Sequence, residues 1–290
     1  MSIGKRMIKI FGLISLLSLL SACSNDVTAV TEDSSDMNQL YHENFLITEA
    51  DSNTDYTNPI YIDLSSADEE LVLKEAGDYV LSGKGENTVC IDAQDQMVHL
   101  FLDNIDLQTV SGPAINVISA SKVIITINSD TENTIADSAY YANTEEANAA
   151  IYSTCDLTIN GTGMLNVFGY NKDAIHTKDL CKILDGVLKI SAKRSGVRGN
   201  DGIMLSPEIL YIESETYGLQ TTKADQDSRG VIEISKGITS ILAGRYAIQA
   251  ASDVYVRNCE LSMNSVITNI NTEGDMYIEE GIMFDKSVSP

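Results

Sequence analysis

The sequence predicts an all-β fold built as a solenoid, in which each turn takes about 22 residues. Short stretches of alternating apolar and polar residues are separated by turns rich in Gly, Asn and Asp, which is typical of β-strands. These stretches return at a nearly constant interval through the second half of the chain. No segment beyond the N-terminal apolar run shows a sustained helical period. One turn of such a solenoid buries its apolar side chains only against its neighbours.

Residues 1–22 are predicted to be a lipoprotein signal peptide. Three basic residues precede the apolar run IFGLISLLSLL at 10–20, which is too short to span a bilayer comfortably. The run leads into LSAC, which places Cys23 where a bacterial lipoprotein carries its lipidated cysteine. A plain signal peptide with an unrelated cysteine is the alternative. We expect export, cleavage before Cys23, and a lipid anchor on the extracellular face of the bacterial cell membrane.

The net charge of the chain limits the classes of molecule that it can bind. Cleavage would remove Lys5, Arg6 and Lys9 and leave 16 basic against 42 acidic residues, a net charge of −26. Such a chain repels nucleic-acid phosphates, so a nucleic-acid partner is excluded, whereas divalent cations are natural partners. The segment 24–59 is rich in Ser, Thr, Asn and Asp and has no Lys or Arg. Residues 23–59 are therefore predicted to be a flexible acidic tether, and residues 60–290 the folded domain.

The repeat is anchored on an apolar residue that follows a small residue. The anchors are Ile151, Ile175, Val197, Leu219, Ile248 and Ile267, at intervals of 24, 22, 22, 29 and 19 residues. We expect the segment TKADQDS (222–228) to loop out and to account for the long interval. Each anchor precedes two short alternating stretches separated by a turn, such as DLTI, NGTG and MLNV. From about Gly77 onward the pattern gives about nine or ten turns. A β-sandwich is the competing fold, but sandwiches do not repeat their own sequence.

Four cysteines follow Cys23, namely Cys90, Cys155, Cys181 and Cys259. An even number of cysteines in an exported protein is compatible with disulfides. Their spacing does not fit a small disulfide scaffold, and roughly 230 residues build a core without cross-links. We therefore expect buried free thiols.

Several stretches carry a family resemblance: YVLSGKGENTVCIDA, VIITINSDTENTIADS, AAIYSTCDLTINGTGMLNVFG, and the steps DAI, SGV, YGL and YAI. Over about residues 75–265 the chain resembles exported carbohydrate-binding proteins of anaerobic bacteria. The resemblance implies a right-handed parallel β-helix, similar in shape to pectate lyases. It also implies calcium at Asp-rich turns and recognition of plant polysaccharides, both cellulose-like and pectic. It does not establish catalysis, which depends on the site.

The calcium pattern that the resemblance implies is reduced in this chain. The family's step is Asp-Gly-Ile with another Asp four or five residues later. Only the turns around Asp173, Asp179 and Asp201 keep stacked carboxylates. Ca²⁺ takes six to eight oxygen ligands, and two carboxylates one turn apart repel each other unless a cation lies between them. These three residues are the candidate metal ligands. The alternative is that they cap turns through hydrogen bonds to backbone N–H groups.

Two tyrosines replace the acidic residue elsewhere. Tyr217 and Tyr246 share the repeat position of Asp173, so they should lie one turn apart if the insertion loops out. The chain has no Trp, so tyrosines must carry any stacking on a sugar ring. The alternative is that the two rings only pack on each other.

Basic residues concentrate in the same part of the sequence. Seven fall within 27 positions: Lys172, Lys178, Lys182, Lys189, Lys193, Arg194 and Arg198. A 22-residue period stacks Lys172 on Arg194 and His176 on Arg198. We expect Lys172, Lys178, Lys193, Arg194 and Arg198 to form a strip that binds uronate groups, because Arg presents a planar fork to carboxylates. The alternative is that these cations only offset the acidic surroundings.

Three functions remain open from the sequence. The first is a monomeric, membrane-anchored lipoprotein that binds pectic or cellulose-like polysaccharide, with calcium assisting. The second is a lyase on uronate-containing polymers, with Lys178, Lys193 or Arg198 as the base or the group that neutralises the substrate carboxylate. The third is a structural spacer or adhesin without a sugar site.

Overall fold

The computed structural model describes residues 45–66, 70–141, 147–224 and 229–279, together with the backbone of residues 8–11. The rest of the predicted signal peptide, Cys23 and the predicted tether up to residue 44 lie outside the described residues. None of the described helices is long and apolar enough to span a membrane.

Strands dominate the described residues, with one short α-helix, α1 (Glu49–Ser52), and one 3-10 turn (Leu64–Ser66). The strands in chain order are β1 (Ile8–Phe11), β2 (Ile60–Asp63), β3 (Leu71–Leu73), β4 (Gly77–Gly85), β5 (Val89–Asp92), β6 (Met97–Gln108), β7 (Ile115–Ser119), β8 (Lys122–Ile127), β9 (Glu132–Ala136), β10 (Ala149–Ser153), β11 (Leu157–Gly161), β12 (Met164–Gly169), β13 (Asp173–Thr177), β14 (Leu180–Ile183), β15 (Val187–Ala192), β16 (Ser195–Gly199), β17 (Gly202–Leu205), β18 (Ile209–Ser214), β19 (Tyr217–Gln220), β20 (Val231–Ile234), β21 (Ile238–Ala243), β22 (Tyr246–Ala250), β23 (Val254–Val256), β24 (Glu260–Ser265), β25 (Thr268–Thr272) and β26 (Met276–Glu279).

The strands wind into a parallel coil with three faces, which confirms the predicted parallel β-helix. Face 1 is a nine-stranded sheet: β3, β5, β7, β10, β13, β16, β19, β22 and β25. Face 2 consists of β2, β4, β6, β8, β11, β14, β17, β20, β23 and β26, and face 3 of β9, β12, β15, β18, β21 and β24. The C-terminal part of β6 pairs with β9, so the long strand β6 joins faces 2 and 3.

Face 1 carries the predicted anchors in one inward column. The register pairs Ile151 with Ile175, and then continues through Val197 and Leu219 to Ile248. All five side chains are fully buried, so they form a continuous apolar ladder. Because Leu219 pairs directly with Ile248, the insertion adds no residue to the ladder, as predicted.

The last predicted anchor is wrong. Ile248 pairs with Ile270 rather than Ile267, and Ile267 is 59% exposed. Ile267 lies in the turn before β25, where its N–H donates to the carbonyl of Arg245 at 3.1 Å. An apolar residue in a turn resembles a core residue in sequence, whereas the interval of 22 residues from Ile248 identifies Ile270.

Residues 45–56 are packed across face 2 and are called the strap below. Phe45 is buried against Leu180, Met204, Val231 and Tyr255 on the outside of face 2. Gly202 permits this contact, because a Cβ there would lie 2.9 Å from Cζ of Phe45.

A buried carboxylate fixes the middle of the strap. Asp51 in α1 is fully buried, and its Oδ1 accepts from Nζ of Lys122 at 2.8 Å and from Oγ1 of Thr158 at 2.6 Å. Its Oδ2 accepts from Nζ of Lys182 at 2.8 Å. The predicted flexible tether is therefore wrong for residues 45–56. Most of their side chains are exposed, so their composition is that of a solvated segment, but the buried Asp51 pairs with Lys122 and Lys182 of face 2.

The strand β1 lies within the predicted signal peptide, and its backbone runs parallel to β26. A chain cleaved before Cys23 would lack β1.

The four cysteines are free thiols, as predicted: Cys90, Cys155 and Cys181 are buried, and Cys259 is half-buried.

Candidate functional site

The tyrosine pair lies on face 1, one turn apart as predicted. Tyr217 of β19 is in register with Tyr246 of β22, and the rings stack with centroids 6.1 Å apart at 22°. The guanidinium of Arg245 lies 5.1 Å from the Tyr246 centroid and 6.0 Å from the Tyr217 centroid. Each tyrosine therefore turns one ring face to its neighbour, and Arg245 covers part of the remainder. This geometry favours the alternative in which the rings pack on each other.

Asp173, at the same repeat position, is held by protein cations and amides rather than being open to a ligand. Its carboxylate is fully buried and accepts from Nε of Arg194 at 2.7 Å, from Nη2 of Arg194, and from the backbone N–H of Ser195 at 3.0 Å. These side-chain hydrogen bonds raise the pKa of Arg194. The predicted uronate ligand Arg194 is thus committed to an internal pair.

His176 and Arg198 stack on adjacent turns of face 1, as predicted. Nδ1 of His176 lies 3.2 Å from Oδ1 of Asn148, and Nε of Arg198 donates to Oδ1 of Asn200 at 3.0 Å. Burial lowers the pKa of His176 to about 4, and burial also lowers the pKa of Arg198. His176 is therefore neutral at pH 7, and Arg198 supplies the cation of this column.

The five residues of the predicted basic strip lie on or beside face 1 but do not form one surface. Lys172 and Arg194 meet at the corner between faces 3 and 1, where the N–H of Arg194 donates to the carbonyl of Lys172 at 2.7 Å, whereas Lys178 follows β13 at the other end of the face.

Two other basic residues of the same stretch lie elsewhere: Lys182 on face 2 against Asp51, and Lys189 pointing outward from face 3. Lys193 pairs with Glu215 at the corner between faces 3 and 1. Because one turn takes about 22 residues, a run of 27 positions wraps more than once around the β-helix. A concentration in sequence is therefore distributed over all three faces.

The residues proposed for lyase chemistry are also separated. Lys193 precedes β16, whereas Lys178 follows β13, so they lie at opposite ends of strands of face 1. A five-residue strand is about 16 Å long. Arg198 lies on β16 between these two ends. The three side chains do not converge on one reacting atom.

The three predicted calcium ligands do not lie together. Asp179 and Asp201 lie on adjacent turns, but Lys223 and Arg229 pair with Asp201 at 2.6 and 3.3 Å. Asp173 begins β13 at the opposite corner of face 1. Burial, followed by the charges of Asp201 and Asp156, raises the pKa of Asp179.

No group of three or more His, Cys, Asp or Glu side chains in the described ranges is arranged to hold a metal. Protein cations occupy the positions beside Asp173 and Asp201 where Ca²⁺ would need open oxygens.

An open groove of about 410 Å³ runs across four turns of face 3. One outward column consists of Asn166, Lys189, Tyr211 and Ser240, which the register places side by side on β12, β15, β18 and β21. The neighbouring outward column is Phe168, Ser191, Glu213 and Leu242. Paired strands are about 4.8 Å apart, so four turns give a binding surface about 14 Å long.

Tyr211 is the more accessible of the two aromatic rings that line the groove. It is 46% exposed, and among the described residues no other ring is stacked on it. At one end of the groove the rings of Phe168 and Tyr170 stack with centroids 5.8 Å apart at 12°. Sugar rings bind by laying an apolar face on an aromatic ring while amides, hydroxyls and charged groups bond their hydroxyls. The groove presents both kinds of group on one rigid sheet.

This groove was not among the predicted sites, although the sequence contains a signal for it. The stretches LNVF, LKIS, LYIE and SILA alternate inward apolar and outward residues at the repeat interval. In each stretch, the residue before the inward Val or Ile points outward. These outward residues are Asn166, Lys189, Tyr211 and Ser240. The repeat positions at which acidic residues are missing lie on face 1, so that pattern points to face 1 instead.

Comparisons with known proteins agree with this architecture. A family model described as "Carbohydrate-binding domain-containing protein" matches residues 67–289. A protein of the same description from Acetivibrio thermocellus is 28% identical over 227 residues, covering 76% of this chain and 79% of that protein. A solved structure of a polysaccharide lyase-like protein from C. thermocellum, a gadolinium derivative, superposes with a TM-score of 0.72. It is 23% identical and covers 79% of this chain and 99% of its own, so it shows likeness of fold alone.

Proposed function

We propose that this chain, which belongs to the family of carbohydrate-binding domain-containing proteins, binds polysaccharide along the groove of face 3 and performs no chemistry on it. The observation that carries the proposal is the exposed Tyr211 ring, flanked on adjacent turns by Lys189 and Ser240. The outward surface of a parallel sheet presents a new row of side chains at every turn, about 4.8 Å apart, which suits an extended polymer better than a compact ligand.

The groove is balanced in charge. It has one cation, Lys189, and one anion, Glu213, together with Asn166, Ser191 and Ser240. Hydroxyl, amide and charged groups of this kind bond sugar hydroxyls without selecting a strongly anionic polymer. We therefore favour cellulose-like or other neutral glycans over pectic ones at this groove. Binding through these residues requires no calcium.

The proposal is tested by native gel electrophoresis of the full-length chain through soluble cellulose derivative, xylan or polygalacturonate, each with calcium and with chelator. We expect a neutral glycan to retard the protein equally under both conditions. Tyr211→Ala should weaken binding about tenfold, because it removes the stacking surface. Tyr140→Ala is the matched control, since Tyr140 is an exposed tyrosine that does not line the groove.

Two outcomes would count against the groove. If Tyr246→Ala abolishes retardation and Tyr211→Ala does not, the tyrosine pair on face 1 is the site. If only polygalacturonate retards the protein, and only with calcium, the pectic interpretation from the sequence is the better one.

We also propose that the protein is exported and lipid-anchored at Cys23. The support is the LSAC sequence after the apolar run, which lies outside the described residues. Incorporation of a labelled fatty acid in cells, abolished by Cys23→Ala, is the expected result. Labelling that persists in the variant would exclude this anchor.

A further inference from the structure

A second pocket, called the corner pocket here, lies where the strap meets the corner between faces 2 and 3. Its volume is about 430 Å³. The strap supplies one wall through Thr54, Asp55 and Tyr56, and the β-helix supplies the other through residues that include Asp103 and Thr162. The groove of face 3 shares no lining residue with it.

The strap wall of the corner pocket is fixed on both sides. Before it, Nδ2 of Asn160 donates to the carbonyl of Asn53 at 2.9 Å. After it, the N–H of Thr57 donates to Oδ2 of Asp78 at 2.7 Å. The wall is therefore held in position before any ligand arrives, which reduces the entropy lost on binding.

An aromatic edge borders the corner pocket. The Tyr56 ring packs edge-on against Phe101, with centroids 5.1 Å apart, and lies 6.5 Å from the Tyr61 ring. Tyr56 is 43% exposed and Tyr61 is 69% exposed. Part of each ring is thus open to a ligand, while Phe101 beneath them is fully buried and holds Tyr56 in place.

The polar groups of the corner pocket select for a neutral polyol. Asp55 and Asp103 present carboxylates, and Thr54 and Thr162 present hydroxyls. The described residues that line the pocket include no Lys or Arg. Carboxylates accept hydrogen bonds from sugar hydroxyls, and such charge-assisted bonds are about twice as strong as neutral ones. The same carboxylates repel a uronate or a phosphate.

We infer that the strap and the β-helix together build a second glycan-binding pocket that takes a neutral sugar residue. This inference rests on the proposed function, because it assumes that the protein binds glycan. It also gives the strap a function, because removing the strap would remove one wall of the pocket.

Isothermal titration of the full-length chain with a neutral glucan hexasaccharide, and separately with a hexagalacturonate, tests the inference. We expect the neutral hexasaccharide to fill two sites and the anionic one to be excluded from the corner pocket. Asp103→Asn keeps the shape of the side chain and should weaken one site about tenfold, because the charged acceptor is lost. Asp106→Asn is the matched control: Asp106 is also half-buried on β6 but pairs with Lys84 outside the pocket.

Tyr211→Ala distinguishes the two sites. Loss of one site in Tyr211→Ala and of the other in Asp103→Asn supports both proposals. A single site that Tyr211→Ala removes and Asp103→Asn leaves intact overturns the corner pocket and keeps the proposed function. A single site with the opposite response keeps the corner pocket and overturns the groove. A wild-type chain that binds neither hexasaccharide overturns both.

Discussion

His99 and His176 are the residues through which acid should act on the stability of this fold. Both are buried, and burial lowers the pKa of each to about 4. Nε2 of His99 lies 2.7 Å from Oγ1 of Thr126. Nδ1 of His99 lies 3.9 Å from Oδ1 of Asp78, and Nδ1 of His176 lies 3.8 Å from Oδ2 of Asp173. Burial outweighs the attraction of both carboxylates, so protonation is unfavourable at each site.

The sign of the effect follows from where each state binds its proton. In the unfolded chain a histidine has its ordinary pKa of 6.5, whereas in the folded chain it has a pKa of about 4. The stability that the folded state gains from keeping each histidine neutral is therefore fully present above pH 6.5 and is lost as the pH falls toward 4. The difference of about 2.5 pH units is worth about 3 kcal/mol per histidine at the acid limit.

Thermal unfolding between pH 7.5 and 4.5 measures this effect, and His176→Gln should show a smaller fall in Tm than wild type. Asp137 acts in the opposite direction, since burial raises its pKa to about 6 and it gains relative stability as the pH falls. Because Asp137 is present in both proteins, the difference between them isolates His176. Equal slopes would mean that His176 has no lowered pKa.

Tyrosine positions show what the sequence predicts at the residue scale. The repeat places Tyr217 and Tyr246 in one column because register follows from the interval between core residues. It does not reveal that each ring takes the other as its neighbour, with Arg245 alongside. Tyr211 has Lys189 and Ser240 beside it instead, so its ring stays accessible. Whether a tyrosine ring is accessible therefore depends on which residues its own turn and the two neighbouring turns place beside it.

The strap is the element that composition predicts incorrectly. Acidic and hydroxyl residues without Lys or Arg are typical of solvated linkers. Here the cations that pair with Asp51 come from Lys122 and Lys182, which are 71 and 131 residues away. No local sequence pattern predicts a pairing between residues so far apart in the chain. The strap's one strongly apolar anchor, Phe45, is a single residue and gives no periodic signal.

Asp51→Asn should release the strap. Burial alone would raise the pKa of Asp51, but the hydrogen bonds from Lys122, Lys182 and Thr158 outweigh it and hold the pKa well below its usual range. Removing the carboxylate leaves the buried ammonium of Lys182 without its counter-charge, which costs about 3–5 kcal/mol. We expect a lower free energy of unfolding and faster proteolytic cleavage within residues 45–56.

Glu49→Gln provides the control for the strap, because Glu49 is an exposed acidic residue of the same helix. It should change stability by less than about 0.5 kcal/mol. Equal protease resistance in wild type and Asp51→Asn would show that Phe45 and the backbone contacts of Asn160 are enough to hold the strap.

At the scale of the whole molecule, the length of one turn decides which residues share a surface. Residues about 22 apart are neighbours, as Ile175 and Val197 are, whereas residues 5 to 15 apart point to different faces. This is why the fold and the core column can be predicted from one sequence. It is also why Lys182 and Lys193, 11 residues apart, lie on face 2 and at the corner between faces 3 and 1 rather than side by side. The binding surface depends on outward residues, which no packing constraint makes repetitive.

The register of face 1 predicts that the same substitution has different effects in the core and in a turn. Ile175 lies fully buried between Ile151 and Val197, so Ile175→Asp would place a charge in the apolar ladder shared by neighbouring turns. An unpaired buried charge costs more than a typical domain's net stability allows. Ile267→Asp makes the same chemical change at an exposed turn and should cost less than about 0.5 kcal/mol.

Circular dichroism and thermal unfolding of the two variants complete the comparison. We expect Ile175→Asp to lose cooperative unfolding and Ile267→Asp to unfold as wild type does. Because each turn is stable only against its neighbours, the charge at Ile175 should disrupt the turns on both sides of it. Cooperative unfolding of Ile175→Asp together with loss of structure in Ile267→Asp would restore Ile267 as the core anchor and shift the register of β25 by three residues.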